Sequence, residues 1–90
     1  MLKIVLSNKF KKDLKLAQSR GYNLHLLENV VNALASQQEL SAQYRDHALS
    51  GNYAGFRECH IKPDWLLIYR IHNDELILFL SRTGTHSDLF

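Results

Sequence analysis

The sequence predicts an α+β protein whose elements follow in the order β-α-α-β-β-β. Two observations lead to this prediction. Apolar residues recur at helical spacing between positions 10 and 34, which indicates two amphipathic helices. Three segments of strand type then follow in the second half, separated by short turns that contain Pro, Asn or Asp. Because short turns join antiparallel neighbours, we expect these strands to form an antiparallel meander within one domain, residues 1–90.

Capping residues mark the limits of the first strand and of both helices. Lys3–Leu6 is a short run of strand type, and the hydroxyl of Ser7 can cap the helix that follows. The apolar residues of this helix are Phe10, Leu14 and Ala17. Gly21 ends the helix, since glycine adopts the left-handed conformation at little cost, and Asn23 caps the next one. The second apolar stripe is Leu24, Leu27, Val31 and Leu34. So short a connection favours an antiparallel helical hairpin.

The second half of the chain is organised around the segment Trp65–His72. Its run of apolar residues is typical of a strand buried on both faces, so we place it centrally in the sheet. Phe56–Lys62 and Leu76–Ser81 are predicted as its neighbours. Ser36–Ser50 shows no clear period and is predicted to be a loop with little regular structure. The polar tail Thr83–Phe90 is expected to fold back on the sheet.

The charge distribution suggests a basic surface on the first helix. The net charge is +2, yet six of the eleven basic residues precede position 21: Lys3, Lys9, Lys11, Lys12, Lys15 and Arg20. A patch of this kind either binds an acidic partner such as nucleic acid or is an ordinary solvated helix face. The sequence alone leaves both interpretations open.

Several classes of protein are disfavoured by what the sequence lacks. The single cysteine, Cys59, cannot form an intramolecular disulfide. No signal peptide is evident, and no apolar run is long enough to span a membrane, so we expect a cytoplasmic protein with no membrane partner. No metal-binding motif is present, and we expect neither a metal nor a small-molecule cofactor. Cys59 and His60 are neighbours on a strand and face opposite ways, which excludes a Cys–His nucleophile pair.

Five polar residues are predicted to meet at one end of the central strand: His47, His60, Asp64, Arg82 and His86. A turn at Pro63 and Asp64 would set His60 opposite Leu67, and the last strand returns toward the same end at Arg82. Singly, each residue has an ordinary explanation, such as a turn aspartate or an exposed histidine. Their convergence is what favours a site.

These residue types suit cleavage of RNA by its own 2′-hydroxyl. That reaction needs a base for the hydroxyl proton, an acid for the departing 5′-oxygen and a cation for the charge that grows on the phosphate. Histidine can act as acid or base near neutral pH, and arginine carries a permanent charge with two parallel donors for phosphate. Trp65 and Phe90 are aromatic residues near the same end that can stack on an unpaired base.

At these residues the sequence resembles the YafQ-type branch of the RelE/ParE toxin superfamily. The matching pieces are, in order, Tyr44-Arg45-Asp46-His47, Gly55-Phe56-Arg57-Glu58-Cys59-His60, Pro63-Asp64-Trp65-Leu66-Leu67-Ile68-Tyr69, Arg82-Thr83-Gly84-Thr85-His86 and Leu89-Phe90. Lys11-Lys12-Asp13-Leu14-Lys15 is similar to the family's first helix. The resemblance covers essentially the whole chain, and the ordered set is more specific than any single piece.

The resemblance implies a fold, an activity and partners. The fold would be a small twisted antiparallel sheet with a two-helix hairpin on one face, like that of microbial ribonucleases. The protein would cleave messenger RNA in the ribosomal A site and be held inactive by a cognate antitoxin. Among the implied site residues, His86 would be the general acid and Arg82 would stabilise the phosphate. The other implied residues would share the base, positioning and stacking roles: His47, His60, Asp64, Trp65 and Phe90. The first helix would dock on ribosomal RNA through Lys11, Lys12 and Lys15.

Two alternatives share the fold. A toxin of the related ParE branch would poison gyrase and would not need a histidine-rich end, so the histidines at positions 47, 60 and 86 disfavour it. A degenerate module would only bind an antitoxin, but every expected polar position is filled.

Overall fold

A computed structural model describes all residues, 1–90, as a five-stranded sheet with two long helices and one short one. The elements are β1 Lys3–Leu6, α1 Asn8–Ser19, α2 Leu24–Ala35, β2 His47–Ala48, β3 Arg57–Lys62, β4 Trp65–His72, β5 Ile77–Gly84 and α3 His86–Leu89. Two 3₁₀ turns, Ala42–Tyr44 and Gly51–Tyr53, flank β2. The strands lie in the order β1-β5-β4-β3-β2, so the predicted central strand is central. No helix has the length and apolar character that crossing a membrane requires.

The predicted caps of the two long helices are confirmed. Ser7 Oγ accepts a hydrogen bond from the Phe10 amide at 2.9 Å, and Asn23 Oδ1 accepts one from the His25 amide at 3.1 Å. Each bond satisfies an amide that the first turn of a helix leaves without a partner. Gly21 takes a φ of +76° just after α1, as expected for a glycine that ends a helix.

The sheet differs from the prediction in three places. The segment 36–50, predicted as a loop with little regular structure, contributes the two-residue edge strand His47–Ala48, which pairs with β3 as β2. β5 begins one residue late, after Leu76 at a φ of +55°, and continues to Gly84. β1 pairs with β5 in parallel, so the sheet is antiparallel except at this edge, where the two helices form the crossover.

The two faces of the sheet are covered differently. Along β4, Trp65, Leu67 and Tyr69 point to the face covered by α1 and α2, which we name the helix face. The helix face holds the main core, whose buried members from the helices are Phe10, Leu27, Val30, Val31, Leu34 and Ala35. Leu66 and Ile68 point to the opposite side, the open face, where only Leu89 of α3 completes a small buried cluster.

A β-bulge corrects the predicted partner of His60. Lys62 pairs with Trp65 across the hairpin turn, and a regular ladder from there would set His60 opposite Leu67 on the helix face. Ile61 is an extra residue in β3, so His60 lies opposite Leu66 instead. The prediction was wrong by one position, and the bulge turns His60 to the open face.

A second bulge has the same effect on β5. Tyr69 pairs with Leu80, whereas Ile68 pairs with Arg82, which leaves Ser81 as the extra residue. In a regular ladder Ser81 would pair with Ile68, and Arg82 would lie opposite Leu67 and face the helices. The bulge is tied to α1, since Ser7 Oγ donates a 2.6 Å hydrogen bond to the Ser81 carbonyl.

Candidate active site

The candidate site lies on the open face, along a row of residues that crosses four strands. Ladder partners place His47 beside Glu58, Glu58 beside Ile68 and Ile68 beside Arg82. Neighbouring strands are about 4.8 Å apart, so the backbones of Glu58 and Arg82 are separated by roughly 10 Å. The face therefore carries an acid–base cluster on one side of Ile68 and a permanent cation on the other.

The acid–base cluster consists of two imidazoles around one buried carboxylate. Glu58 is only 3% exposed, and its Oε1 lies 3.6 Å from His47 Nε2 and 3.5 Å from His60 Nε2. The other nitrogen of each ring, Nδ1, is hydrogen-bonded to a backbone carbonyl. The partner is the Arg45 carbonyl at 2.7 Å for His47 and the Pro63 carbonyl at 3.3 Å for His60. A carbonyl only accepts, so each Nδ1 carries the proton, and each Nε2 is the position that can gain or lose one.

The segment that carries His47 is anchored from the helix face. The Tyr69 hydroxyl donates to Asp46 Oδ1 at 2.5 Å, and Arg57 Nε donates to the same oxygen at 3.3 Å. Burial, and next the bond to Asp46, raises the pKa of Tyr69, so the hydroxyl stays protonated. Arg45 takes a left-handed φ of +48°, which turns its carbonyl toward the His47 ring. His47 is thus held although its own side chain is half exposed.

Arg82 is fixed by a carboxylate of α1. Its Nε and Nη2 donate to the two oxygens of Asp13 at 2.7 and 3.1 Å, and Asp13 Oδ2 also accepts from the Thr83 amide at 3.1 Å. The hydrogen bonds from Arg82 to Asp13 raise the pKa of Arg82 further, so its charge is permanent. Asp13 engages two of the three guanidinium nitrogens, which leaves Nη1 for a phosphate oxygen.

The end of the chain brings His86 and Phe90 to the same face. His86 is the first residue of α3, is exposed and has its ring centroid 5.2 Å from that of Phe90. Phe90 is 59% exposed and meets Tyr53 edge-on at 5.6 Å. Leu89 is buried against Leu66 and Ile68, which seats α3 on the open face. The tail folds back on the sheet as predicted.

Trp65 and Asp64 lie elsewhere. Trp65 is 3% exposed on the helix face, packs on Tyr22 at 4.9 Å and donates from Nε1 to Thr83 Oγ1 at 2.9 Å. It is a core residue here, and its ring is not free to stack on RNA. Asp64 is exposed in the β3–β4 turn and makes no hydrogen bond or ion pair. It lines a cavity of about 480 Å³ beside Tyr22, whereas His60 lines a different one of about 430 Å³.

The lysines of α1 are exposed, whereas the arginine at its end is paired. Lys11, Lys12 and Lys15 are exposed and have no ionic partner. Arg20 donates to both oxygens of Asp88 in α3, at 2.6 and 3.1 Å. Because Asp13 of the same helix contacts Arg82, the lysine-bearing helix runs directly beside the site.

Three contributors to the site were missed in the sequence. Glu58 could have been found, because residues two apart on a strand share a face and it precedes His60 by two. Asp13 and Tyr53 gave no such signal: the partner of Asp13 is 69 positions away, and Tyr53 ends a short 3₁₀ turn in a connection between two strands.

Neither a metal cluster nor a reactive cysteine is part of this geometry. No three His, Cys, Asp or Glu side chains are arranged to hold a metal ion together. Cys59 is fully buried on the helix face, where burial raises the pKa of its thiol to about 12, with smaller contributions from Asp46 and Glu58. It is therefore a core residue, as predicted.

Comparison with known proteins gives a consistent result. Residues 2–90 match the family of YafQ, bacterial toxins of type II toxin-antitoxin systems. The chain is 42% identical over 88 residues to the mRNA interferase toxin YafQ of Escherichia coli strain K12, which covers 97% of this chain and 94% of that protein. A metal-bound toxin from Helicobacter pylori superposes with a TM-score of 0.94 at 52% identity over the whole of both chains. YafQ in the Escherichia coli DinJ-YafQ complex superposes with a TM-score of 0.89 at 40% identity, over 100% of this chain and 99% of that one.

Proposed function

The chain belongs to the YafQ family of toxins of type II toxin–antitoxin systems, and from this premise we propose how it acts. It is an mRNA interferase, an endoribonuclease that inhibits translation. We propose that it cuts messenger RNA in the ribosomal A site by attack of the 2′-hydroxyl on the neighbouring phosphorus. Its location is then the cytoplasm, where its target is translated, and all 90 residues act as one domain.

The observation that carries the proposal is the arrangement of proton-transfer groups around a fixed cation. His47 and His60 both direct Nε2 toward Glu58, and Arg82 lies two strands away on the same face. Such a set can accept a proton on one side of a phosphate and stabilise negative charge on the other.

In the proposed reaction the proton from the 2′-hydroxyl passes to an imidazole Nε2. His47 and His60 share this role, and the Glu58 carboxylate stabilises the imidazolium that results. The 2′-oxygen forms a bond to phosphorus while the bond to the 5′-oxygen breaks. His86 donates a proton to that leaving oxygen. The products are a 2′,3′-cyclic phosphate and a 5′-hydroxyl, and no redox step or metal ion is required. Asp64 is exposed in the neighbouring turn and its side chain has no hydrogen bond or ion pair, so the proposed reaction gives it no step.

Arg82 stabilises the charge that develops on the phosphate oxygens. The Asp13 carboxylate holds the plane of the guanidinium through Nε and Nη2, so that Nη1 can donate to phosphate without reorganisation. Phe90 is the exposed aromatic residue beside His86 and stacks on a base next to the cut. Trp65 supports the site from beneath through Thr83, the residue after Arg82.

A cognate antitoxin is a partner of this protein, since a family member is found with the antitoxin DinJ in a solved complex. We propose that this antitoxin holds the toxin inactive and that the ribosome is its second partner. We propose that Lys11, Lys12 and Lys15 bind ribosomal RNA phosphates. The antitoxin would be net acidic, because complementary charge speeds its encounter with this basic helix.

A gyrase-poisoning toxin is the alternative. It would have no use for two imidazoles around a buried carboxylate, and that arrangement favours the nuclease. Incubation with gyrase and plasmid separates the two, since trapped cleavage complexes would support the alternative.

The test is an in vitro translation reaction in which the protein is added and the message ends are mapped. We expect cuts within the A-site codon that leave a 2′,3′-cyclic phosphate, or its 3′-phosphate hydrolysis product, and a 5′-hydroxyl. A 2′-O-methyl group just 5′ of the cut should block cleavage, because it removes the nucleophile. A message methylated two nucleotides away is the matched control.

The chemistry should survive a chelator. One relative is described as metal-bound, so the protein should be treated with EDTA, exchanged into metal-free buffer and then added to ribosomes. Cleavage at the untreated rate is expected. A 5′-phosphate with a 3′-hydroxyl, or activity that returns only when metal is added, would refute the mechanism.

A further inference from the structure

The shortest helix of the molecule depends on distant contacts. α3 is a single turn of four residues, His86–Leu89, and an isolated helix of that length is not stable in water. Leu89 anchors one side of it by burial on the open face. The other side is held by Asp88, which takes part in every hydrogen bond between a side chain and this turn.

Asp88 closes a capping box and is also packed tightly against the end of β5. Its Oδ2 accepts the Thr85 amide at 2.9 Å, while Thr85 Oγ1 accepts the Asp88 amide at 3.2 Å. A Cβ at Gly84 would lie 2.9 Å from the same Oδ2, so the carboxylate rests against the strand backbone. The position of this carboxylate therefore sets the position of the turn.

Arg20 holds that carboxylate from the end of α1. Nη1 and Nη2 donate to its two oxygens at 2.6 and 3.1 Å, the parallel geometry that arginine forms with carboxylates. This pairing, and next the Thr85 amide, holds the pKa of Asp88 well below its usual range. We name the Arg20–Asp88 pair together with Thr85 the α3 latch.

His86 lies between the residues of the latch, and no hydrogen bond fixes its ring. It is the residue between Thr85 and the rest of the turn, its side chain makes no hydrogen bond, and its ring contacts Phe90. His47 and His60, in contrast, each have Nδ1 bonded to a backbone carbonyl. The direction of the His86 ring is consequently set by where the backbone of α3 lies.

We propose that Arg20 is a positioning residue that holds the general acid His86 in place through Asp88. This inference rests on the function proposed above and deepens it. It also separates Arg20 from the lysines of α1: they face solvent for RNA phosphate, whereas both terminal nitrogens of Arg20 are engaged within the protein. Misplacement of a catalytic group by about 1 Å can cost up to about 100-fold in rate.

The test is a double-mutant cycle in single-turnover cleavage of ribosome-bound message, with the protein at saturating concentration. Arg20→Ala should lower the rate between about 10- and 100-fold. In a His86→Ala background the same change should have no further effect, because the group it positions is gone. Asp88→Asn keeps a capping oxygen but loses the charge, so it should match Arg20→Ala and not add to it. Arg20→Lys should recover part of the rate.

Arg70→Ala is the matched control. It removes an exposed guanidinium that stacks on Phe56 and has no carboxylate partner. Arg70 lies on the open face but pairs with Phe79, three residues along β5 from Arg82, and contacts no part of the latch, so cleavage at saturating protein should be unchanged. Circular dichroism checks folding of each variant. If Arg20→Ala does not fold, Arg20→Lys and Asp88→Asn decide the matter with the same background comparison.

The outcomes separate the latch from the function on which it rests. Full cleavage by His86→Ala would remove the proposed general acid and the latch with it. If His86→Ala cleaves slowly while Arg20→Ala and Asp88→Asn cleave at the wild-type rate, the latch is overturned but the proposed function is not. An equal loss from Arg20→Ala in both backgrounds would mean that Arg20 acts by docking on RNA, which also overturns it.

Discussion

The two faces of this sheet are made from the same strands but differ in what they carry: one holds the apolar core and the other holds the candidate site. On the helix face, fourteen buried residues form one apolar core under two helices. On the open face, three buried apolar residues lie among histidine, glutamate and arginine side chains. The difference shows that stability is concentrated on one side, so the other side can hold charged groups that would be costly in a core. Substitutions on the two faces should accordingly separate rate from stability.

The largest expected effect is on the open face, at His86. His86→Ala should slow cleavage by about 10²–10⁴-fold, because the leaving oxygen loses its proton donor. The side chain is exposed and makes no hydrogen bond, so the urea unfolding midpoint should not move. A rate that stays high would assign the acid to another residue. A lower unfolding midpoint would mean that this open-face residue contributes to stability as well as to rate, contrary to the comparison of the two faces.

Arg82 comes next, because it serves the site and also joins it to α1. Arg82→Ala should lower the cleavage rate by about 10²–10³-fold, as loss of an oxyanion-stabilising group does. It also leaves Asp13 with the Thr83 amide but without its guanidinium partner, so some stability should be lost as well.

Arg82→Ala combined with Asp13→Asn separates the two effects. The double variant should recover stability but not activity. If it recovers activity, Arg82 has a structural role only.

Two neighbouring leucines of β4 test the faces most directly. Leu66 and Leu67 are both fully buried, the first on the open face and the second on the helix face. Leu67→Ala should cost about 2–5 kcal/mol of unfolding free energy. Leu66→Ala should cost less, because its smaller cluster can collapse, yet it should slow cleavage by loosening Leu89 beneath α3. The unfolding free energy and the single-turnover cleavage rate of both variants check this. A larger loss of stability in Leu66→Ala, or a larger loss of rate in Leu67→Ala, would contradict the comparison.

The smallest effect is the pH dependence of the α3 latch. The pKa of Asp88 is lowered in the folded protein, so its charge stabilises the fold above the ordinary aspartate pKa of about 3.9. That contribution is lost as the pH falls through the lower, folded value. Between pH 5 and pH 2.5, the unfolding midpoint of the wild type should fall more than that of Asp88→Asn. Equal losses would mean that the pair adds nothing to stability.

Local sequence signals predicted most of the fold. Ser7, Gly21 and Asn23 mark helix limits through bonds to residues beside them, and β4 stands out by its apolar run. β2 was not predictable in the same way, because two residues form a strand only when β3 lies alongside. The parallel partner of β1 likewise depends on packing across the whole chain.

The candidate site was predictable in its members more than in its geometry. His47, His60, Arg82 and His86 meet on one face, and their roles remain a proposal. Trp65 was expected beside them and is a core residue, since its indole is covered by Tyr22. The bidentate partners of the arginines, at separations of 68 and 69 positions, have no local signature.

The two bulges decide which face of the sheet carries the site. Ile61 and Ser81 are each one extra residue in a strand beside β4, and each shifts by one the register of the residues that follow, so that His60 and Arg82 point to the open face. If Ile61 or Ser81 were instead paired in a regular ladder from the turn, every proposed functional residue would still be present in the same order. His60 or Arg82 would then lie opposite Leu67 and point under the helices, where it could not reach RNA. A relative with one residue fewer at either point would need no bulge, because a regular ladder would then give His60 or Arg82 the partner that it has here.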